Sequence, residues 1–185
     1  VSIRKRLDGG YTVAHGSILD HPITPSTLYF APKYIQALIK EFNGLRLSIG
    51  KEFIDELTAP KTWDLDKESP FEKNRVLNPK PNKNVIAKIS SEISNVYPEL
   101  KDAKIIESWA GMVETTPDVV PVISPMQKIP GFYLATGFSG HGFGIGPGAG
   151  KVISEMIQNK PTIDLLPFRL ERFFDGSPIK VEATI

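Results

Sequence analysis

The sequence predicts an α+β fold on three observations. Apolar residues recur with helical spacing in three separate stretches, and short strand-like runs lie between and around these stretches. The last helical stretch is followed by a Pro-broken, Arg-bearing tail rather than by a further strand. The helical stretches lie near residues 25–42, 84–97 and 147–158. A chain of 185 residues with 41% hydrophobic content can bury the core of one domain, or of a domain with an appendage.

The overall composition excludes several classes of function. A net charge of +1 gives no reason to expect nucleic-acid binding. No apolar run approaches the length of a membrane span, and no signal peptide is visible, so we expect a cytoplasmic protein. The absence of cysteine excludes disulfides and thiolate metal sites. No grouping of His, Asp or Glu has the spacing of a metal site, and His15 and His21 are expected at the surface or in turns.

The amino-terminal elements follow from local patterns. Tyr11–Ala14 is predicted as a strand of a hairpin, and a polar turn then leads to a helix over about Pro25–Phe42, which Asn43 and Gly44 end. Leu45–Ile49 alternates as a half-buried strand. The residues predicted near one apolar face of the helix are Leu28, Ile35, Leu38, Ile39 and Phe42.

The middle of the chain contains a long polar segment. Residues 59–84 are rich in Pro, Lys, Asn and Asp, which predicts a loop or lid, either a surface insertion or a cover over a substrate. A helix over about Asn84–Tyr97 then ends at Pro98. Lys104–Glu114 and Val119–Ser124 are predicted as two further strands.

The stretch from Gly131 to Gln158 is the most informative part of the sequence. An apolar run, Phe132–Ala135, predicts a strand, and a glycine-dense loop then leads to a helix with Pro147 in its first turn. Glycines allow a planar ligand to approach the backbone closely, and the first amides of a helix present N–H groups and partial positive charge. The junction therefore predicts either a ligand site or a turn whose glycines serve tight packing alone.

Two sharper interpretations of this junction meet their own requirements only in part. Gly144, Gly146 and Ala149 nearly meet a dinucleotide fingerprint, but Arg169 stands where the acidic residue of a βαβ unit is required. Ser139 follows a strand as in a nucleophile elbow, but His141 occupies the place of a glycine. His141 is also the last histidine of the chain, whereas the triad of that fold needs one after the serine.

Several short motifs together resemble a known family. The segments are Glu107–Gly111, Thr116–Asp118, Pro121–Ile123, Gly131–Tyr133 and Gly137–Gly142. In order and spacing they resemble the carboxy-terminal part of FAD-dependent amino acid oxidoreductases, the D-amino acid oxidase family with its glycine oxidase, sarcosine oxidase and D-amino acid dehydrogenase branches. Upstream, Asp8–Val13 and His21–Pro25 are similar to the substrate-domain portion of the same enzymes.

The resemblance implies a division of the chain into two parts. Residues 1–124 correspond to a substrate-binding domain, an antiparallel-rich sheet with flanking helices. Residues 125–185 correspond to the carboxy-terminal strand and helix of a Rossmann-like FAD-binding domain. The G-x-G-x-x-G unit that holds FAD in this family is not found in residues 1–50, so we expect part of an oxidoreductase that alone holds FAD weakly. The alternative is a non-catalytic fragment or partner subunit that acts through protein–protein interaction.

The resemblance also implies site residues. The residues implied to bind the cofactor FAD are Gly137, Phe138, Ser139, Gly140, His141, Gly142, Phe143 and Gly144. Trp109, Gly111 and Met112 are implied to bind substrate, but Val113 stands where the glycine oxidase branch has a carboxylate-binding arginine.

The implied reaction is hydride transfer from the carbon bearing the amine to FAD, with hydrolysis of the imine. The substrate is a D-amino acid, an N-methyl amino acid or a related amine, and no protein acid, base or metal is assigned. The sequence leaves open which amine is used and whether oxygen or another carrier takes the electrons. The expected partners are that small molecule and an amino-terminal FAD-binding half or a second copy, with no nucleic acid and no membrane span.

Overall fold

The computed structural model describes residues 1–16 and 18–181, without the side chain of Glu41. The last four positions of the predicted 125–185 domain lie outside the described residues. The strands are β1 (Ser2–Lys5), β2 (Tyr11–Ala14), β3 (Leu19–Pro22), β4 (Leu45–Ser48), β5 (Val122–Pro125) and β6 (Tyr133–Thr136). The α-helices are α1 (Pro25–Glu41), α2 (Lys51–Thr58), α3 (Pro70–Lys73), α4 (Lys83–Val96) and α5 (Gly142–Ile157). Short 3-10 helices cover Pro98–Leu100, Leu166–Phe168 and Leu170–Phe173.

The chain divides into two compact units. Unit 1 comprises Val1–Pro25 and Gly44–Met112, and unit 2 comprises Ser26–Asn43 and Val113–Ile185. The functional division at residue 124, into substrate and cofactor domains, stays a prediction.

Unit 1 contains two strand pairs and α4. β1 and β2 form an antiparallel hairpin, whereas β3 and β4 pair in parallel, with Leu19 opposite Leu45. A parallel pair needs a long connection, which the chain supplies through α1. The Asn82 side chain caps α4 by accepting from Asn84 N at 3.0 Å and donates to the Asp20 carboxylate at 3.0 Å.

Unit 2 is built on an antiparallel pair and a helix. β5 pairs with β6, with Val122 opposite Thr136, and α5 contacts both strands. The core between them contains Ile123, Ala149 and Met156. The half-buried side chains packed against this core are Tyr133, Phe138, Val152, Ile153, Leu165 and Phe168. A second buried cluster packs α1 against the carboxy-terminal segment of the same unit. Its members are Ala37, Val119 and Val181.

The α+β class and several elements are confirmed. The predicted helices near 25–42 and 84–97 correspond to α1 and α4, and the strands predicted near 11–14, 45–49 and 132–135 correspond to β2, β4 and β6. The segment 59–84 is irregular apart from α3 and the first residues of α4. The prediction of one antiparallel-rich sheet is wrong. The strands of the described residues form three separate pairs, of which one is parallel.

Other local predictions are wrong. Lys104–Glu114 forms no strand, because no other segment of the described chain pairs with it, and its apolar residues Ile105 and Ile106 are exposed. The strand predicted from Val119 starts at Val122, because Val119 has a φ of +64°, which extended structure excludes. The last helix begins at Gly142 rather than at Pro147.

Two further elements and one side chain were missed. β3 occupies what was predicted as a polar turn, and α2 follows β4 after two intervening residues. The side chain of His15, predicted at the surface or in a turn, is largely buried, and its Nε2 lies 3.4 Å from the Glu92 carboxylate. The predicted apolar face of α1 is largely exposed, with Ile39 72% accessible.

The described residues contain neither a membrane-spanning helix nor a cluster of metal ligands. Within residues 1–16 and 18–181, no helix combines the length and apolar character needed to cross a membrane. In the same residues, no group of three or more His, Cys, Asp or Glu is arranged to hold a metal ion.

Candidate functional site

The central feature of the site is a sharp turn between β6 and α5, here called the junction turn (Gly137–His141). Gly137, Ser139 and Gly140 have φ values of +73°, +50° and +82°. The N–H of His141 donates to the Phe138 carbonyl at 2.8 Å and closes the turn. Left-handed backbone suits glycine but is uncommon elsewhere, so Ser139 marks a strained position. The turn directs the chain from the end of a strand straight into a helix.

Ser139 stabilises this turn from inside. It is 0% exposed, and its Oγ donates to the Gly137 carbonyl at 3.1 Å. A short polar side chain that bonds to nearby backbone makes the left-handed conformation tolerable. The buried hydroxyl is unsuited to attack a substrate, which removes the serine-hydrolase interpretation of this motif.

The Glu114 carboxylate binds the start of the junction turn. It accepts hydrogen bonds from Thr136 Oγ1 at 2.8 Å, from Gly137 N at 2.9 Å and, more weakly, from Phe138 N at 3.4 Å. The Thr136 hydroxyl is the main cause of a lowered pKa of Glu114, slight burial opposes it, and the two N–H groups add to the lowering. Glu114 therefore stays ionised as an acceptor at neutral pH.

Removing the Thr136 hydroxyl is expected to raise the pKa of Glu114 toward its ordinary value. Because the folded pKa is below the unfolded one, the carboxylate stabilises the fold above the unfolded pKa and loses this effect as pH falls through the folded pKa. In Thr136→Val this loss should therefore occur at higher pH than in the parent protein. Carboxyl-resolved NMR titration of Glu114 measures the shift. Thr162→Val, which removes a donor to Glu155 instead, is the control, and an unchanged midpoint in Thr136→Val would contradict the assignment.

A second turn, Thr116–Val120, supports the junction turn from the same unit. Thr116 Oγ1 donates to the Val120 carbonyl at 2.8 Å, and Val120 N donates to Asp118 Oδ1 at 3.1 Å. Val119, with φ of +64°, is a β-branched outlier and is only 6% exposed. A Cβ on Gly137 would lie 2.3 Å from Thr116 Cγ2, so the two turns are in close contact.

A buried ion pair fixes this second turn. Arg172 Nε donates to Asp118 Oδ2 at 2.7 Å, and its Nη2 donates both to Asp118 Oδ1 at 3.1 Å and to the Val120 carbonyl at 2.7 Å. Tyr34 donates to the Thr115 carbonyl at 2.7 Å. Burial, with a smaller effect of the Asp118 charge, raises the pKa of Tyr34, so its phenol stays protonated. The carboxy-terminal segment and α1 thus both anchor the chain that precedes β5.

The amino terminus of α5 offers backbone donors and open space. The N–H groups of Gly144 and Ile145 donate to the His141 carbonyl at 3.0 and 3.2 Å, whereas Gly142 and Phe143 come too early for an acceptor inside the helix. An added Cβ at Gly144 would meet no atom within 4 Å. The same open space is found at Gly146 and Gly148. A helix start with free N–H groups and an open position at Gly144 fits a planar cofactor that carries negative charge.

The structure places the predicted site residues in two groups. The eight predicted cofactor residues lie together in the junction turn and the first turn of α5, in unit 2. Trp109, Gly111 and Met112 lie in irregular chain at the end of unit 1, where Trp109 is 57% and Met112 62% exposed. Their assignment to cofactor and substrate stays a prediction.

Sequence reasoning missed the residues that hold the turns in place. Glu114 was given no role beyond ending the predicted strand Lys104–Glu114, and the pairing of Asp118 with Arg172 was not anticipated. One usable signal was present, since Arg172 stands in an apolar tail, residues 165–174, where a charge needs a buried partner. Glu114 gave no such signal, because its partners lie 22–24 residues away.

The chain is similar to a protein family and to several proteins of known function. The family model described as FAD dependent oxidoreductase (DAO) matches residues 11–156, more than half of the chain. Human peroxisomal sarcosine oxidase is 37% identical over 87 residues, covering 46% of this chain and 22% of that protein. Sarcosine oxidase subunit beta from an Arthrobacter species is 37% identical over 84 residues, covering 44% of this chain and 20% of that protein.

A solved structure extends the similarity over most of the chain. The L-amino acid deaminase from Proteus myxofaciens, in complex with anthranilate, matches with a TM-score of 0.84 and 30% identity, covering 92% of this chain and 38% of that one. The chain thus spans well under half the length of the proteins it matches. The relatives are named for oxidation of sarcosine and deamination of L-amino acids, and the matched family model is named for FAD. The chain belongs to the DAO family of FAD-dependent oxidoreductases.

Proposed function

We propose that this chain contributes to the flavin- and substrate-binding region of an enzyme that oxidises the C–N bond of an amino acid or related amine. The observation that carries the proposal is the junction turn, which leads directly into the glycine-rich start of α5. Family membership supplies the cofactor, FAD. The substrate class, a D-amino acid, an N-methyl amino acid or a related amine, is supported by the sarcosine oxidases among the relatives. The name of the structural relative adds L-amino acids as candidates.

The residues of α5 supply binding and electrostatics rather than chemistry. FAD, when bound, accepts the hydride from the carbon that carries the amine. Gly142 and Phe143 would direct free N–H groups at it, and the helix dipole would add partial positive charge. Such fixed donors stabilise negative charge that develops during reduction. The glycine at 144 would keep a side chain out of the approach.

The residues proposed to bind the substrate lie at the end of unit 1. Trp109 and Met112 present exposed apolar surface, and Gly111 has open space where a Cβ would be. Val113 cannot bind a carboxylate, so the substrate carboxylate, where there is one, must be bound by another residue. We propose that these three residues contact the apolar part of the substrate.

Placing a large side chain at Gly144 is expected to weaken FAD binding by at least about tenfold, because it would occupy the path of the cofactor. The fold should survive, since a Cβ there meets no atom within 4 Å and leucine is a better helix former than glycine. The test is Gly144→Leu, with FAD titrated by visible absorption and with thermal unfolding measured without FAD.

Gly150→Leu is the matched control for that experiment. Gly150 lies in the same helix and its Cβ position is equally open, but it is turned about 120° around the helix axis. We expect Gly150→Leu to bind FAD like the parent protein. Equal affinity of all three proteins for FAD would contradict the proposed placement of the cofactor.

The alternative function is that of a non-catalytic fragment or partner subunit. It is favoured by the exposed apolar side chains of α1, among them Tyr29 at 78% and Ile39 at 72% exposure. One relative is also named as a subunit. Exposed apolar surface of this kind promotes association. Light scattering over a range of concentrations tests it: a rising mass without FAD binding would favour the alternative.

A further inference from the structure

Glu114 makes contacts that the proposed function does not use. It follows the predicted substrate residues in the chain and lies in unit 2, where its carboxylate reaches the end of β6. Oε2 accepts from Thr136 Oγ1 at 2.8 Å, and Oε1 accepts from Gly137 N at 2.9 Å and Phe138 N at 3.4 Å. One side chain therefore binds three consecutive residues at the point where the strand becomes the junction turn.

The contacts of Glu114 help to hold the junction turn in its strained conformation. Three of its residues have left-handed backbone, and Ser139 holds this conformation without being glycine. Such a turn persists only where the surroundings fix it. Thr116 restricts it from one side, since its Cγ2 would lie 2.3 Å from a Cβ on Gly137. Glu114 is the charged acceptor for the first two N–H groups of the turn.

The contacts also show which N–H groups of this region are already hydrogen-bonded within the protein and which are available to a ligand. Those of Gly137 and Phe138 are directed at Glu114, and that of His141 is directed at the Phe138 carbonyl. The first free N–H groups of α5, at Gly142 and Phe143, are left for a ligand. The predicted cofactor residues thus fall into two groups. The N–H groups of Gly137 and Phe138 bind the Glu114 carboxylate, whereas those of Gly142 and Phe143 are available to a ligand.

We propose that Glu114 is a positioning residue that fixes the junction turn, so that the N–H groups at the start of α5 face FAD. Under this proposal Gly137 and Phe138 donate to Glu114 and not to the cofactor. The inference rests on the proposed function and adds a residue to the same site. Glu114 itself touches neither cofactor nor substrate, and acts through the backbone that it holds.

The test compares Glu114→Ala with Glu114→Gln in the purified chain. Glutamine keeps an oxygen acceptor for Gly137 and Phe138, and its amide can donate to the Thr136 oxygen, so it preserves the geometry without the charge. Alanine removes all three contacts. Glu171→Gln, in the carboxy-terminal 3-10 helix of the same unit, is the control for loss of one negative charge.

Two quantities are measured by heteronuclear NMR. The first is hydrogen exchange at the amides of Gly137 and Phe138 without FAD, expected to be at least about tenfold faster in Glu114→Ala, the ratio that matches loss of one charge-assisted hydrogen bond. The second is the dissociation constant for FAD, expected to rise by at least about tenfold in Glu114→Ala. Glu114→Gln keeps the acceptor but loses the charge assistance, so both quantities should lie between those of the parent and those of Glu114→Ala.

The outcomes separate this inference from the proposed function. If the parent chain binds FAD and Glu114→Ala binds it equally well, the positioning role is wrong while the proposed function stands. Unchanged exchange at Gly137 and Phe138 would also overturn the positioning role. A glutamine variant as impaired as the alanine variant would show that charge and not geometry is required, which likewise contradicts the inference. If the parent chain does not bind FAD at all, the proposed function fails first and this inference with it.

Discussion

Replacing Arg172 with alanine is expected to lower the free energy of unfolding by about 3–5 kcal/mol, because it leaves the Asp118 carboxylate buried without its partner. Arg172 is 7% and Asp118 8% exposed, and two nitrogens of the guanidinium bind the two carboxylate oxygens. The same side chain also donates to the carbonyls of Arg169 and Val120. Urea unfolding monitored by circular dichroism measures the change.

Three further variants show whether burial causes this effect. Arg169→Ala breaks a more exposed ion pair with Asp175 and should have a much smaller effect. Arg172→Lys keeps the charge but cannot bind both oxygens in the same way, so an intermediate loss is expected. The double variant Asp118→Asn with Arg172→Met should be more stable than Arg172→Ala, because no unpaired charge remains. An Arg172→Ala variant as stable as Arg169→Ala would show that the pair is exposed to water in solution.

The sequence was a good guide where the signals are local. α4 was predicted because apolar residues recur with helical spacing and Pro98 marks its end, and the structure adds Asn82 as the cap. α1 was predicted in the same way. Its buried residue, however, is Ala37 rather than the large apolar residues of the predicted face. Periodicity thus identified the helix but not the side that is buried, because burial depends on distant parts of the chain.

Elements that depend on distant partners were not predictable in this way. Lys104–Glu114 has the composition of a strand, but strands require a paired neighbour, and none of the described segments pairs with it. β3 was missed because Leu19–Pro22 is polar and becomes a strand only through parallel pairing with β4. The start of α5 was misplaced because Pro147 suits a first turn, whereas the structure accommodates it further inside the helix.

The candidate site was located by glycine density and by family resemblance, but the roles within it were not. The junction turn and α5 bring the eight predicted cofactor residues together, which is a consequence of their adjacency in sequence. That Ser139 is buried and that Gly137 faces Thr116 are properties of tertiary packing. The supporting contacts join residues 22 and 54 positions apart, as in Glu114 with Thr136 and Asp118 with Arg172. No local pattern records such pairs.

Replacing Gly137 with alanine is expected to lower the free energy of unfolding by about 2–5 kcal/mol, from backbone strain and steric overlap together. Its φ of +73° disfavours any residue with a Cβ, and that Cβ would lie 2.3 Å from Thr116 Cγ2. The neighbour cannot move easily, because Thr116 is 7% exposed and its hydroxyl donates to the Val120 carbonyl at 2.8 Å. Urea unfolding measures the loss.

Two variants separate the two causes of this loss. Gly131→Ala has a similar φ of +80° with no atom within 4 Å of its Cβ, so it should show the backbone strain alone, about 1–2 kcal/mol. Adding Thr116→Ser to Gly137→Ala removes Cγ2 but keeps the hydroxyl, and should recover the steric part of the loss while the strain remains. If Gly137→Ala lowers the free energy of unfolding no more than Gly131→Ala does, the two turns do not approach each other closely in solution. A full recovery in the double variant would instead show that left-handed backbone at Gly137 is not what requires glycine there.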